Sequence, residues 1–209
     1  NETIFDLTEA PAHLIVIGAG PIGIEMAQAH RRLGAKVTVL EMATMMPKDD
    51  PEAVDVVRRR MIDEGAEILE GIKVKSIARD GNGIAVEIEK DGRACAVVGS
   101  HLLVAAGRRA NIAGLDLGVA GIEHDARGIK VDQRLRTTNK RVFAIGDVAG
   151  GYQFTHLASY HAGIVIRNAL FNLPAKVDYR AVPWVTYTDP ELAHVGMSEI
   201  QAKSKDASA

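Results

Sequence analysis

The spacing of apolar and polar residues changes several times along the chain. His13 to Ile17 is a short β-branched apolar run, and a glycine-rich turn follows it at once. Apolar residues then recur at helical spacing from Pro21 to about Leu33, where Gly34 supplies a stop. The stretch "KVTVLE" predicts a second strand. "DPEAVDVVRRRMIDEG" predicts a second amphipathic helix, with Asp50 as N-cap, Pro51 at the first position and Gly65 at the end. Strand, helix, strand, helix opens a doubly wound α/β sheet.

The period then drops to two. "IKVKSIARD", "GIAVEIEKD" and "RACAVVGS" alternate and are separated by Asp-Gly and Gly-Asn-Gly turns, which predicts a three-stranded meander inserted before a further buried strand, "HLLVAAG". Past Gly107 the chain is rich in glycine and poor in periodicity, as a crossover between domains would be, and a boundary is placed near Asn111. "TTNKRVFAIGDVAG" predicts a buried strand from Val142 to Ile145 that runs into a Gly-Asp turn. Thr155 then caps a helix from His156 to about Phe171, and "VPWVTYTD" returns to strand. Ser198 caps a last helix with almost no residues left to complete it, so the sequence predicts a chain cut from a longer one.

Bulk properties narrow the function. At 209 residues and 47% hydrophobic content the chain can bury one sizeable core or two small ones. A formal charge of −2 with both signs interspersed offers no basic face to a nucleic acid and no polybasic segment to a membrane. The apolar runs are too short to span a bilayer and the amino terminus has no leader-type pattern, so the expected address is the cytoplasm. The single cysteine, Cys95, excludes an internal disulfide or a Cys-x-x-Cys pair and is read as a small core residue. Seven histidines without ligand spacing give no metal site.

The first candidate site is "GAGPIG". Gly18 permits the tight turn, Gly20 lets backbone approach a pyrophosphate, and Gly23 lets the helix pack closely on the strand. The helix amino terminus holds a diphosphate on unpaired N–H groups, and Pro21 fits its first position. Glu41, ending the second strand, would accept hydrogen bonds from ribose hydroxyls and repel a 2′-phosphate; the next residue is Met42 rather than an arginine, which predicts NAD(H) over NADP. The expected contacts here are Gly18, Gly20, Pro21, Ile22, Gly23, Glu25, Glu41 and Met42. For Glu25 two roles stay open, complementing the helix dipole or standing beside the nicotinamide.

The second is the Gly-Asp turn. Gly146 allows close backbone approach, Asp147 can accept hydrogen bonds from a polyol, and the helix starting at His156 adds another positive end. The same turn could be purely structural.

The order of glycine loop, meander, "VAAGRRAN", "TTNKRVFAIGDVAG" and "VPWVTYTDPELAHVGMSE" closely resembles the flavin-dependent pyridine nucleotide-disulfide oxidoreductases, the dihydrolipoamide dehydrogenase and mercuric reductase family, over nearly the whole chain. The resemblance implies a Rossmann-like NAD-binding domain at 1–111, the carboxyl-terminal part of an FAD-binding domain at 112–182 and the start of an interface domain at 183–209. It implies that Gly146 and Asp147 contact the FAD ribityl and pyrophosphate, and that backbone at Thr155, His156 and Leu157 faces the flavin ring. Gly107, Arg108 and Asn111 match the family's Gly-Arg-x-Pro-Asn signature, with Ala110 in place of the proline. Glu25 would lie near the nicotinamide and pair with a lysine of the flavin domain, and Pro21 stands where some members carry a gating tyrosine.

By the same resemblance the parent is a homodimer that passes hydride from NADH to FAD and on to a disulfide or another acceptor. The family's first glycine motif, its redox cysteine pair and its His-Glu base pair are not in this sequence. His194 and Glu191 match only the opening of the interface domain and are read as structural. The chain alone is therefore expected to bind NAD(H) without turnover, to hold FAD poorly and to contain no catalytic residue. A stand-alone NAD-binding sensor is the alternative; an adenosylmethionine enzyme would share the glycine loop but leaves "AIGD" and the meander unexplained.

Overall fold

The computed structural model describes residues 3–205. They form two compact units, one of the residues up to Gly107 together with those from Val185 onward, the other from Arg108 to Trp184.

The first unit opens with β1 (His13–Ile17), α1 (Pro21–Arg32), β2 (Lys36–Leu40), α2 (Pro51–Asp63) and β3 (Glu67–Leu69). The meander β4 (Lys73–Asp80), β5 (Gly83–Lys90) and β6 (Arg93–Gly99) comes next, then β7 (His101–Val104). Strands β3, β2, β1 and β7 make one parallel sheet in that order. Successive residues of a strand point to opposite faces, and here both faces are covered. Leu14 and Val16 join Ile24, Ala27, Val54, Val57 and Met61 under the helices, while Ile15 and Ile17 join Val86 and Ile88 under the meander. That double cover is why β1 reads as an unbroken apolar run. Each such side chain contributes about 1.5–3 kcal/mol on full burial.

Helix limits match expectation where glycine or proline sets them. Gly34 and Gly65 follow α1 and α2 at φ +99° and +88°. In the meander, Asp91 and Gly92 both take positive φ (51° and 74°), as a two-residue hairpin turn of the favoured hand requires. Asp50 precedes α2 as expected, but its carboxylate does not cap that helix; Oδ1 accepts the Glu199 N–H at 3.0 Å instead.

Two expectations fail on exposure. β7 is half-buried rather than buried: it is an edge strand paired only with β1, and Val104 is 63% exposed. Cys95 is exposed, not a core residue, because β6 is the outer strand of the meander with β5 on one side only. Its thiol is expected to react with one equivalent of Ellman's reagent in the native protein. A reaction that needs denaturant contradicts this placement.

In the second unit a small hairpin, β8 (His124–Asp125) and β9 (Gly128–Ile129), precedes a 3-10 turn at Gly146–Ala149 and α3 (Thr155–Ala169). Leu117, Ile122, Ile129 and Ala144 form its core. The predicted strand from Val142 to Ile145 is not formed. Its ladder consists of one bridge, Phe143 to Arg136, with Thr137 N–H bonded to Val142 O and Ala144 N–H to Leu135 O. A strand needs a partner along its length, and this segment folds back on 135–137 instead. Thr155 is the first residue of α3 and not its cap. Phe154 is the cap, with extended backbone (φ −124°, ψ 140°), and its ring stacks on Tyr152 and His156.

The chain closes with β10 (Pro183–Thr186), paired with β11 (Leu192–Val195), and α4 (Glu199–Lys205). Ser198 does cap α4, its Oγ accepting the Gln201 N–H. Among the described residues no helix is long and apolar enough to cross a membrane.

Candidate functional site

The first glycine loop joins β1 to α1, and its three glycines differ in what they answer to. Gly18 sits at φ +106°, where a Cβ would meet Ala105 O at 2.5 Å. At Gly23 a Cβ would lie 2.0 Å from Gly18 O, so helix and loop backbone meet there with no room for any side chain. Gly20 has ordinary extended backbone (φ −74°, ψ 176°) and nothing within 4 Å of a Cβ position. Nothing inside the protein requires glycine at that place.

Pro21 occupies the first helical position of α1. The N–H groups of Ile22 and Gly23 have no acceptor within the helix by its geometry, and Ile22 is half exposed. Glu41 follows β2 and closes the loop from the other side. One carboxylate oxygen accepts Ala19 N–H at 2.7 Å, the other Ala43 N–H at 2.8 Å, and Ala19 O accepts Met46 N–H at 3.0 Å. Met42, beside it, is 65% exposed. The loop, β2 end and helix start are thus one hydrogen-bonded cradle around an open space at Gly20.

Glu25 lies one turn further along α1. Its carboxylate accepts Tyr187 N–H at 2.8 Å. On the same face Gln28 exchanges two hydrogen bonds with the backbone of Asp189, and Arg32 bonds to the Asp189 and Glu64 carboxylates. The Arg32 guanidinium holds both of those carboxyls below their usual range. These three side chains, three and four residues apart, bind the 187–189 segment to α1 within the first unit. His194 Nε2 is 3.1 Å from Gly196 O.

In the second unit, Gly146 is buried at φ +66° and opens the 3-10 turn that presents Asp147. Asp147 faces Arg108 at 3.3 Å, and Arg108 also reaches Gln153 O. Gly107, just before it, takes φ +125°. Thr155 and His156 are exposed at the open end of α3, whereas Leu157 is buried and gives its N–H to Phe154 O. The rings of Phe154 and His156 stack at 5.2 Å and 12°.

Sequence reasoning missed His161. Its ring is fully enclosed, with Nδ1 3.1 Å from Gly146 N and Nε2 2.9 Å from the Tyr179 hydroxyl. The signal was available: Leu157, His161 and Ile164 are the buried stripe of α3, and a histidine at a core position needs polar partners. Among the described residues no cluster of potential ligands could hold a metal ion.

A family model described as "Pyridine nucleotide-disulphide oxidoreductase" matches residues 1–162. The mercuric reductase of Bacillus cereus is 36% identical over 207 residues, which is 98% of this chain and 33% of that protein. The dihydrolipoyl dehydrogenase of Geobacillus stearothermophilus is 38% identical over 202 residues, 96% of this chain and 43% of that one. The HOCl-induced flavoprotein disulfide reductase RclA of Escherichia coli superposes with a TM-score of 0.88 at 33% identity, covering 96% of this chain and 46% of its own. LpdA of Mycobacterium tuberculosis gives 0.88 at 30%, with 97% and 44% covered. The chain therefore spans less than half the length of each of these proteins.

Proposed function

The chain belongs to the pyridine nucleotide-disulphide oxidoreductase family, and from that premise we propose that it is the central part of a cytoplasmic, homodimeric flavoprotein that takes hydride from NADH. We assign residues 1–111 to the NAD-binding domain, 112–182 to part of the FAD-binding domain and 183–209 to the start of the interface domain. Mercuric reductases and dihydrolipoyl dehydrogenases are both among its relatives, in keeping with a whole enzyme that passes the electrons on to a disulfide or another acceptor.

The observation that carries the dinucleotide reading is Gly20. Gly118 and Gly163 also leave room for a side chain, but Gly20 stands at the open amino end of α1, and a diphosphate lying on that helix end is what the space fits. Gly18 and Gly23 shape the turn, Pro21 and Ile22 start the helix, and Glu41 with Met42 borders the ribose end. The Glu41 carboxylate already holds Ala19 and Ala43 N–H on two oxygens, which keeps it pointed at the loop. It favours NAD(H) because a 2′-phosphate beside it would meet like charge. Glu25, which binds Tyr187 N–H here, is assigned to the nicotinamide end of the same pocket.

Gly146, Asp147, Gly107, Arg108, Thr155, His156 and Leu157 are the flavin-side residues of this reading. Asp147 offers the acceptor for polyol hydroxyls, Arg108 restrains it, and the open amides of α3 favour negative charge. When bound, the nicotinamide supplies the hydride and the flavin accepts it. The chain contributes binding and orientation.

A thermal-shift comparison tests this. At about a hundredfold excess over Kd, NADH is expected to stabilise the protein by about 2.7 kcal/mol, or several degrees for a chain of this size. NADPH is expected to give less, and FAD little. A larger shift with NADPH overturns the Glu41 assignment. Protein that purifies saturated with flavin overturns the view that its site is only partly contained here.

A further inference from the structure

We propose that His161 is the positioning residue of the Gly146–Asp147 turn, and that it works as the neutral imidazole carrying its proton on Nε2. The side chain sits at a core position of α3 between Leu157 and Ile164, and none of its surface is exposed. A leucine would fill that place with no polar atoms to satisfy. A histidine there must pair both ring nitrogens, and it does.

The partners fix the tautomer. Gly146 N–H can only donate, so Nδ1 must be the acceptor and carries no proton. In the neutral ring the proton then resides on Nε2, which donates to the Tyr179 hydroxyl oxygen at 2.9 Å. The Tyr179 ring stands edge-on to the imidazole at 5.9 Å and 70°, which holds it in place. Burial keeps the imidazole pKa below its usual value, in accord with a neutral ring.

The turn has need of such an anchor. Gly146 occupies the left-handed region, which glycine enters and leaves freely, so its own backbone does not fix the direction in which Asp147 projects. One buried hydrogen bond from its N–H to Nδ1 does. It also withdraws the Gly146 amide from any ligand, leaving recognition at the turn to the Asp147 carboxylate. From the reading above the inference takes only that the turn meets a ligand.

The test is made on the 209-residue chain without ligand. Long-range proton–nitrogen spectra are expected to show His161 Nδ1 as an unprotonated acceptor and Nε2 as protonated. The reverse pattern, or a doubly protonated ring at neutral pH, overturns the proposal. Gly146 amide exchange is expected to accelerate at least tenfold in H161L and in H161Q, whose acceptor reaches only the Nε2 position. In H161N, whose Oδ1 stands where Nδ1 stood, it should stay within about threefold of the parent. Equal exchange in the Asn and Gln variants shows a role in bulk alone and overturns the proposal, even if H161L fails to fold. Nucleotide and flavin binding are separate measurements, so a failed cofactor assignment leaves these outcomes readable.

Discussion

Gly20→Ala is expected to leave the protein folded, with equal or slightly higher melting temperature, while weakening NADH binding at least tenfold, about 1.4 kcal/mol or more. The same substitution at Gly23 is expected to abolish the native state. The two glycines are three residues apart in one motif, and their surroundings decide the difference. At Gly20 the backbone suits any residue and a methyl group meets nothing within 4 Å. Alanine there should add about 0.4–1 kcal/mol by restricting the unfolded chain. The lost space is space that only a ligand would use. At Gly23 a Cβ would stand 2.0 Å from a backbone oxygen, which no rotamer change can relieve. Helix α1 would have to move away from the loop, and Ile24 and Ala27 would leave the main core with it. Overpacking of side chains alone costs about 1–3 kcal/mol, and a backbone clash beneath the central sheet exceeds that against a total stability of about 5–15 kcal/mol. Circular dichroism, a melt and an NADH titration on each variant suffice. Unchanged NADH affinity in G20A removes the observation on which the dinucleotide reading stands.

The same contrast shows what the sequence made legible. The β-α-β-α opening and the meander were readable because their signals are local: Gly34, Gly65 and the Asp91–Gly92 turn act through their own dihedrals, and period two or 3.6 follows from the element itself. The recognition of "GAGPIG" belongs to this class, although only coordinates separate the two glycines that the fold requires from the one it does not. Exposure was less legible. β7 and β1 are both apolar runs, yet one has neighbours on two sides and the other on one, which composition cannot tell. Cys95 fails likewise, since its strand is apolar but lies at the edge of the meander. The Val142–Ile145 segment carries every strand propensity and lacks a partner along its length. Thr155 is a good capping residue displaced by one position because the stacked ring of Phe154 fixes the helix entry. Each miss is a case where tertiary context outweighed propensity.

Stability is expected to fall as pH drops below about 6.5, well before the carboxylates titrate. Two histidines cause this, one in each unit. His13 is held below its ordinary pKa first by burial and then by nearby Lys36, with the Val98 backbone and Glu67 opposing; its Nε2 meets Thr38 Oγ1, whose proton goes to Glu67. His161 is lowered by burial, and a second proton on its ring would face the Gly146 N–H. The direction follows from proton linkage. Above the unfolded value both states leave these rings neutral, and their contribution is complete. Below it the unfolded chain takes up protons that the folded chain refuses, so stability declines until the folded values are passed. Each whole unit of pKa is worth about 1.4 kcal/mol. Carboxylates add their own losses only at lower pH, as with Asp178, which Arg180 holds down to about 2. Urea midpoints measured from about pH 7.5 to about pH 5 separate the two windows. Trp184, the single tryptophan, lies in the second unit and reports on the part that holds His161. In H161N that fluorescence midpoint should lose much of its pH dependence, because asparagine keeps the acceptor and takes no proton. A midpoint that stays level in the parent chain across this range means that both rings accept protons in the folded state, which the enclosed His161 cannot do without losing the Gly146 N–H contact and which burial and Lys36 oppose at His13.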